Sequence, residues 1–345
     1  MKRRDFLKKA GLLAISPLCA GIKEEINGDG SVKITFGGDV CLSSPQRKPN
    51  GFNFEYILQQ TEQNHGKNQM HKYCFEKMDP IFHGSDIIMV NLECPITDSN
   101  KILPKQFNFK ANPDYANILT EAGINIVTLA NNHVYDFSSE GLEDTIDVLD
   151  QKQIYHVGAG TNLTNARKSE IISVKGLRFG FLGYNHIGPS SVFASDNKGG
   201  TAPLEETIYS ADIKELKDNV DFVIVNVHWG VERSFNPQDY QKYHGHKFID
   251  YGADVVIGHH PHVIQPITSY KDGLIFYSLG NFMFGGNSTR SLVSITETFT
   301  SVISFSSKGI SYDYVPVRIT SRENPYQPFE HDSPKRITDL VKKIS

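Results

Sequence analysis

The stretch "DVVIGHHPHVIQP" puts His259, His260 and His262 inside four positions, directly after the apolar run Val255–Val256–Ile257 and a glycine. Imidazole ligates metals and exchanges protons near neutral pH, so three of them at the end of an apolar strand point to that chemistry. Other apolar runs end in a similar way. "VKITFGGD" ends in Asp39 and "IIMVNLE" in Glu93. "INIVTLANNH" ends in Asn131, Asn132 and His133, with Asp136 close behind, and "VDFVIVNVH" ends in His228. In an open α/β sheet, ligands collect outside the carboxyl ends of the strands, so these ends would converge on one place. Carboxylate and imidazole together suit one or two divalent ions of the manganese, zinc or iron type.

Each residue also has a plainer use. Asp39 can cap a turn, Glu93 can terminate a strand, and Asn132 and Asp136 are turn formers. His228, beside Trp229, can be a satisfied core histidine. Their joint placement at strand ends argues for a site. Alternation along a strand would put His260 and His262 on one face and His259 on the other, so His259 is read as structural.

The elements that must position those ends follow from hydrophobic periodicity. Near-continuous apolar strands separated by helices argue for parallel pairing with helices on both faces. "NPDYANILTEA" and "PQDYQKYHGHKFIDYG" read as helices, with His244 and His246 on the surface of the second. "SSEGLEDTIDVLDQKQ" is an amphipathic helix with Ser138 as its cap and Leu142, Ile146 and Leu149 on one face. "SEIISVKGLRFGFLGY" reads as a hairpin around Lys175–Gly176. "HVIQPITSYKDGLIFYSLGNF" and "SVISFSSKGISYDYVPVRIT" add antiparallel strands. The expected fold class is α/β, either a four-layer α/β/β/α sandwich with mixed β-sheets or a mixed α/β sheet. It would form one domain over 30–325, followed by a tail, 326–345, that ends in a short helix. Residues 43–70, rich in Asn, Gln and Pro, read as a loop insertion near the site.

With 39% hydrophobic and 21% charged residues, a chain of 345 residues can bury a sizeable core. No apolar run reaches the ~18 residues of a membrane span. The N-terminus, "MKRRDFLKKAGLLAISPLCAG", has the basic head, short apolar stretch and small residues of an export signal over 1–20. Arg3–Arg4 fits the twin-arginine pattern. The expected location is the periplasm or cell envelope, with the chain either released or tethered by this segment. Its removal takes away five positive charges and one negative, moving the formal charge from -4 to -8. An acidic chain is a poor coat for nucleic acid, so no nucleic-acid partner is expected. Cys41, Cys74 and Cys94 then remain, an odd number that is no disulfide framework. They read as small buried hydrophobes, although one bridge between Cys41 and Cys94 is geometrically open.

The ordered set "GGDV", "NLECPIT", "TLANNHVYDF", "VNVHWG", "GHHPHVIQ" and "YSLGNF" resembles the capsule-synthesis CapA family, linked to bacterial poly-γ-glutamate production. That family has the calcineurin-like metallophosphoesterase fold. The resemblance runs from about Lys33 to Phe284. It implies that Asp39 is the first metal-binding carboxylate and that Glu93 stands where a bridging aspartate is usual. It further implies that Asn132, His228, His260 and His262 are ligands, and that His133 assists the phosphoryl group or leaving oxygen. The implied mechanism lowers the pKa of a bound water to about 7 and clamps the phosphate oxygens for in-line attack. Two positions depart from the wider superfamily. Cys41 stands where a histidine is usual, and Asn91–Leu92–Glu93–Cys94 replaces Gly-Asp-x-x-Asp. Lys110, His186 and Arg233 are candidate substrate contacts. The expected substrate is a phosphate ester or an anionic polymer, and the expected partners are membrane subunits of capsule synthesis. The competing expectation is a non-catalytic, metal-stabilised scaffold or polymer-binding subunit.

Overall fold

Strand-forming Val, Ile and Phe fill the runs that periodicity marks as strands, and both faces of most of those strands are buried. That double burial is why they read as continuous rather than alternating apolar segments. The computed structural model describes residues 30–44, 54–284, 297–319, 328–330 and 337.

In chain order the strands are β1 (Val32–Cys41), β2 (Ile87–Leu92), β3 (Ile126–Thr128), β4 (Tyr155–Val157), β5 (Ala159–Gly160) and β6 (Glu170–Val174). They continue with β7 (Leu177–Asn185), β8 (Gly200–Thr201), β9 (Phe222–His228), β10 (Val255–His259) and β11 (Ile267–Tyr270). The last are β12 (Gly273–Phe276), β13 (Asn281–Phe284), β14 (Glu297–Ser306), β15 (Gly309–Ile319) and β16 (Pro328–Glu330). One sheet runs β16-β15-β14-β1-β2-β3-β4, with β13 also paired to β1. The other runs β11-β12-β10-β9-β7-β6, and β5 and β8 form a small separate pair. In the first sheet β1 through β4 are parallel, whereas β14, β15 and β16 join antiparallel. In the second, β7, β9, β10 and β12 are parallel, flanked by antiparallel β6 and β11.

Three apolar layers separate four structural ones. Between the sheets, Ile34, Phe36 and Met89 meet Phe179, Ile224 and Phe276. On the outer face of the first sheet, Val90 and Val127 pack with residues of helices Phe54–His65, Ala116–Glu121 and Ser138–Gln151. On the outer face of the second, Val223, Val225 and Val256 pack with helices Glu206–Lys217 and Asp239–Tyr251. The fold is therefore the expected four-layer α/β/β/α sandwich with mixed sheets. The hairpin turn falls where expected, with φ 50° at Lys175 and 79° at Gly176, the two positive values that a type I′ turn requires.

Two local expectations are corrected. Ser138 does not cap its helix; it is the first helical residue, with φ 60°, and Phe137 precedes it without a side-chain cap. Part of the supposed loop 43–70 is helical, as Phe54–His65 and Lys67–Tyr73, because Phe54 and Leu58, one helical turn apart, both seal the outer core. The segment 1–20 and nearly all of 326–345 lie outside the described residues. Among the described residues, no helix is long and apolar enough to cross a membrane.

At the carboxyl ends of both sheets, the segment Tyr277–Asn281 passes between β1 and β10. Leu279 donates its N–H to the Gly258 carbonyl at 3.2 Å, and Asp39 donates its own to Gly280 at 3.0 Å. A Cβ on Gly38 would lie 1.9 Å from the Gly280 oxygen, and one on Gly258 would lie 2.1 Å from the Tyr277 oxygen. Only glycine permits such backbone approach. These contacts set Asp39 level with Asn281 and bring the two sheet ends together.

Candidate metal centre

Asp39 lies near the end of β1, Glu93 one residue past β2, and His228 at the end of β9; all three are buried. Asn132 and His133 occupy the turn after β3, and His260 and His262 the loop after β10. Strand β10 ends at His259, so alternation does not govern the two histidines beyond it. His260 and His262 have φ of 96° and 57°, a left-handed backbone that costs free energy for residues bearing a Cβ. His259 is not turned away: its ring is buried, with Nδ1 3.3 Å from Asp39 Oδ1.

The donors form two overlapping groups. Ligand atoms of Asp39, Glu93 and His228 all lie within 4.8 Å of one another, as do those of Glu93, His260 and His262. Glu93 belongs to both. His228 Nε2 lies 2.8 Å from Asn132 Oδ1 and 3.5 Å from Glu93 Oε1. His262 Nδ1 lies 3.3 Å from Asp39 Oδ2 and 2.8 Å from Asn281 Oδ1. Glu93 Oε1 and His260 Nδ1 are buried without a hydrogen-bond partner among the described residues. Burying such groups unpaired is costly, and a cation between them would satisfy both. The donor set, carboxylates with imidazoles and one amide oxygen, fits a divalent ion.

Neighbouring amides hold these donors in place. Asn91 donates from Nδ2 to Asp39 Oδ1 at 2.8 Å and to Glu93 Oε2 at 3.4 Å. Asn131 donates to Asn91 Oδ1 at 3.0 Å and accepts from the backbone of His133 and Val134. Asp136 is fully buried, and its Oδ2 lies 2.9 Å from His133 Nδ1.

Proton affinities differ sharply within this small volume. Burial alone would raise Asp39, but hydrogen bonds and charge from His259 and His262 outweigh it and hold the carboxyl well below the ordinary value. Glu93 goes the other way, raised first by burial and then by the charge of Asp39. Burial drives His228 well down, and takes His260, which also faces His262, down to about 3. Burial opposes a proton on His262 too, yet Glu93 and Asp39 raise it to about 9. Burial lowers His133 despite the Asp136 carboxylate beside it.

The weaker sequence candidates sit at the margin. His186 donates its N–H to the His228 carbonyl at 2.9 Å and rests its exposed ring on Tyr240. Arg233 is exposed, with φ 63°, and is tied by its N–H to Pro261 between the two loop histidines. Lys110 turns its ammonium to Ser99 O at 3.0 Å and Asn100 Oδ1 at 3.3 Å, and neither partner belongs to the donor groups. Cys41 and Cys94 are buried free thiols, and neither is in a donor group. His244 and His246 are engaged rather than bare: His244 bonds Tyr209 Oη at 2.8 Å, and His246 stacks on Tyr270.

Sequence reasoning missed Lys105, whose ammonium contacts Asp136 Oδ1 and donates to Asn132 O at 2.6 Å. It lies in an aperiodic loop that carries no pattern to mark it. Asn281, by contrast, stands inside the motif "YSLGNF" and was open to being found there.

Residues 33–286 match the family described as "Bacterial capsule synthesis protein PGA_cap". "PGA biosynthesis protein CapA" of Bacillus subtilis (strain 168) is 31% identical over 271 residues, which is 78% of this chain and 67% of that protein. "Capsule biosynthesis protein CapA" of Bacillus anthracis is 33% identical over 226 residues, 63% of this chain and 55% of that one. The chain thus spans between about half and two thirds of the length of these relatives. Among solved structures, a novel phosphatase from Mycoplasma pneumoniae superposes with a TM-score of 0.51 at 14% identity. That match covers 86% of this chain and 96% of the other, a likeness of fold.

Proposed function

The chain belongs to the bacterial capsule synthesis protein family PGA_cap, and from that premise we propose that it is an exported, metal-dependent phosphoesterase-like hydrolase serving capsule or cell-envelope polymer production. The observation that carries this reading is Glu93, shared by two donor groups and holding a buried oxygen without a hydrogen-bond partner among the described residues. Asp39, Glu93, Asn132, His228, His260 and His262 would hold one or two divalent ions. Bound there, such ions would supply Lewis acidity at phosphate oxygens and an activated water. The chain's own part is orientation and proton handling. Asp136 fixes the His133 ring, and His133 exchanges a proton with, or stabilises charge on, the departing oxygen. His186 and Arg233, on loops flanking the donors, are proposed contacts to an anionic substrate; the engaged Lys110 ammonium is a weaker one. The substrate is a phosphate ester or a segment of anionic polymer, a reading supported by the PGA and capsule biosynthesis named for the relatives. The place of action is the cell envelope, beside membrane subunits of capsule synthesis.

The test is metal analysis of the purified protein, followed by a panel of phosphomonoesters and phosphodiesters with and without manganese or zinc. Cleavage of at least one ester is expected, and His133→Ala should lower turnover by about 10²-fold or more while metal content persists. One observation favours a scaffold instead: Cys41, at the position where the wider superfamily has a histidine, donates its thiol to Ser43 O and takes no part in either donor group. If no ester is cleaved under any metal, yet metal removal lowers the melting temperature, the scaffold reading replaces the catalytic one.

A further inference from the structure

We infer that Lys105 is a positioning residue for His133, acting through Asp136 and through the backbone of Asn132. The inference rests on the reading of His133 as the group that works on the departing oxygen. The Lys105 side chain is only 16% exposed. Its ammonium contacts Asp136 Oδ1, donates to Asn132 O at 2.6 Å and lies 3.4 Å from His133 Nδ1. Asp136 has no solvent exposure; its Oδ2 accepts from the Phe109 N–H at 2.9 Å and meets His133 Nδ1 at 2.9 Å. The Phe109 ring packs edge-on against the imidazole, centroids 4.7 Å apart.

The donor and acceptor inventory leaves one arrangement. An ammonium only donates, and an ionised carboxylate only accepts. A carboxylate in contact with the Lys105 ammonium through Oδ1 accepts through Oδ2 from His133 Nδ1. The proton of the neutral ring therefore sits on Nδ1, and Nε2 keeps the lone pair, which must take up a proton before the ring can pass one to the departing oxygen. A protonated Nδ1 cannot accept from Lys105, so the 3.4 Å approach is a contact between charge and ring rather than a hydrogen bond. Lys105 thus holds the carboxylate that orients the ring. Its hold on the Asn132 carbonyl fixes the residue whose side chain meets His228. Spent on these partners, the ammonium serves the His133 ring rather than the ions, which a protonated amine cannot ligate.

The test combines imidazole ¹⁵N spectra of the ion-free protein, with His133 assigned against His133→Gln, and kinetics of the manganese-loaded protein on p-nitrophenyl phosphate and its diester. In the native chain, His133 should show the Nδ1–H tautomer. Lys105→Met should mix the two tautomers and lower kcat by about 10–100-fold with KM and metal content little changed, and Lys105→Arg should restore both readouts. An Nε2–H tautomer in the native chain would overturn the inference without any variant, even if Lys105→Met fails to fold. So would a Lys105→Met protein with an unaltered tautomer. If the native protein cleaves neither ester, the catalytic reading fails by itself, and the spectra still decide the role of Lys105.

Discussion

Burial and neighbouring charge raise the proton affinity of Glu93 and of His262, and ion binding works against both shifts. Glu93 is raised first by its burial and then by Asp39, while Glu93 and Asp39 together carry His262 up to about 9 against its own burial. Ligation needs a carboxylate and a neutral imidazole. Titration of manganese or zinc into the ion-free protein near pH 7 should therefore release about one proton or more per ion. Calorimetry in two buffers of different ionisation heat measures this. The apparent affinity should strengthen as pH rises toward about 9, the value to which His262 is raised. Glu93→Gln should weaken binding and reduce the protons released; unchanged release would remove Glu93 from the site. The same shifts act on folding. Glu93 and His262, both raised, contribute stability at low pH that is lost as pH climbs through their folded values, for His262 between 6.5 and about 9. Asp39, held low, contributes above the ordinary carboxylate range and loses that contribution in acid. Without ions, the protein should therefore weaken on the alkaline side.

Strands deliver these residues, and one narrow passage fixes their spacing. Because a Cβ on Gly38 would meet the Gly280 carbonyl at 1.9 Å, Gly38→Ala must push β1 away from the segment before β13. The expected cost is about 1–3 kcal/mol or more, measured by chemical denaturation, together with loss of bound metal because Asp39 moves with its strand. A Gly38→Ala protein of native stability and full metal content would contradict this role for the passage. The strands were legible because burial on both faces leaves long apolar runs, and their polar ends stood out against those runs. Less legible was whatever periodicity does not encode. The helix at Phe54–His65, anchored by Phe54 and Leu58, lies within a longer stretch whose Asn, Gln and Pro read as loop. The left-handed turns at His260 and His262 replace the strand alternation that pointed His259 away from the site. Lys105 acts from a loop, and its importance lies wholly in what the fold sets against it.

Across the molecule, the donors come from both sheets: Asp39, Glu93 and Asn132 follow strands of one, His228, His260 and His262 strands of the other. An ion held between them would tie two layers already joined by the apolar interior and by the backbone hydrogen bonds of Tyr277–Asn281. Metal loading should therefore raise the melting temperature, with stabilisation of about 2.7 kcal/mol at a free-ion concentration one hundred times Kd. Stripping with a chelator, then scanning calorimetry and amide exchange, checks this. Slower exchange on loading is expected at the ends of both β1 and β10, and protection confined to one sheet would refute the shared site. The passage between Gly38 and Gly258 has one more consequence. His262, the final donor in the chain, precedes Tyr277–Asn281, and Asp39 precedes His260 by 221 positions. A ribosome thus finishes every proposed ligand before it has made the segment that draws the two sheet ends together, and the centre can take its shape only once most of the sandwich has been translated.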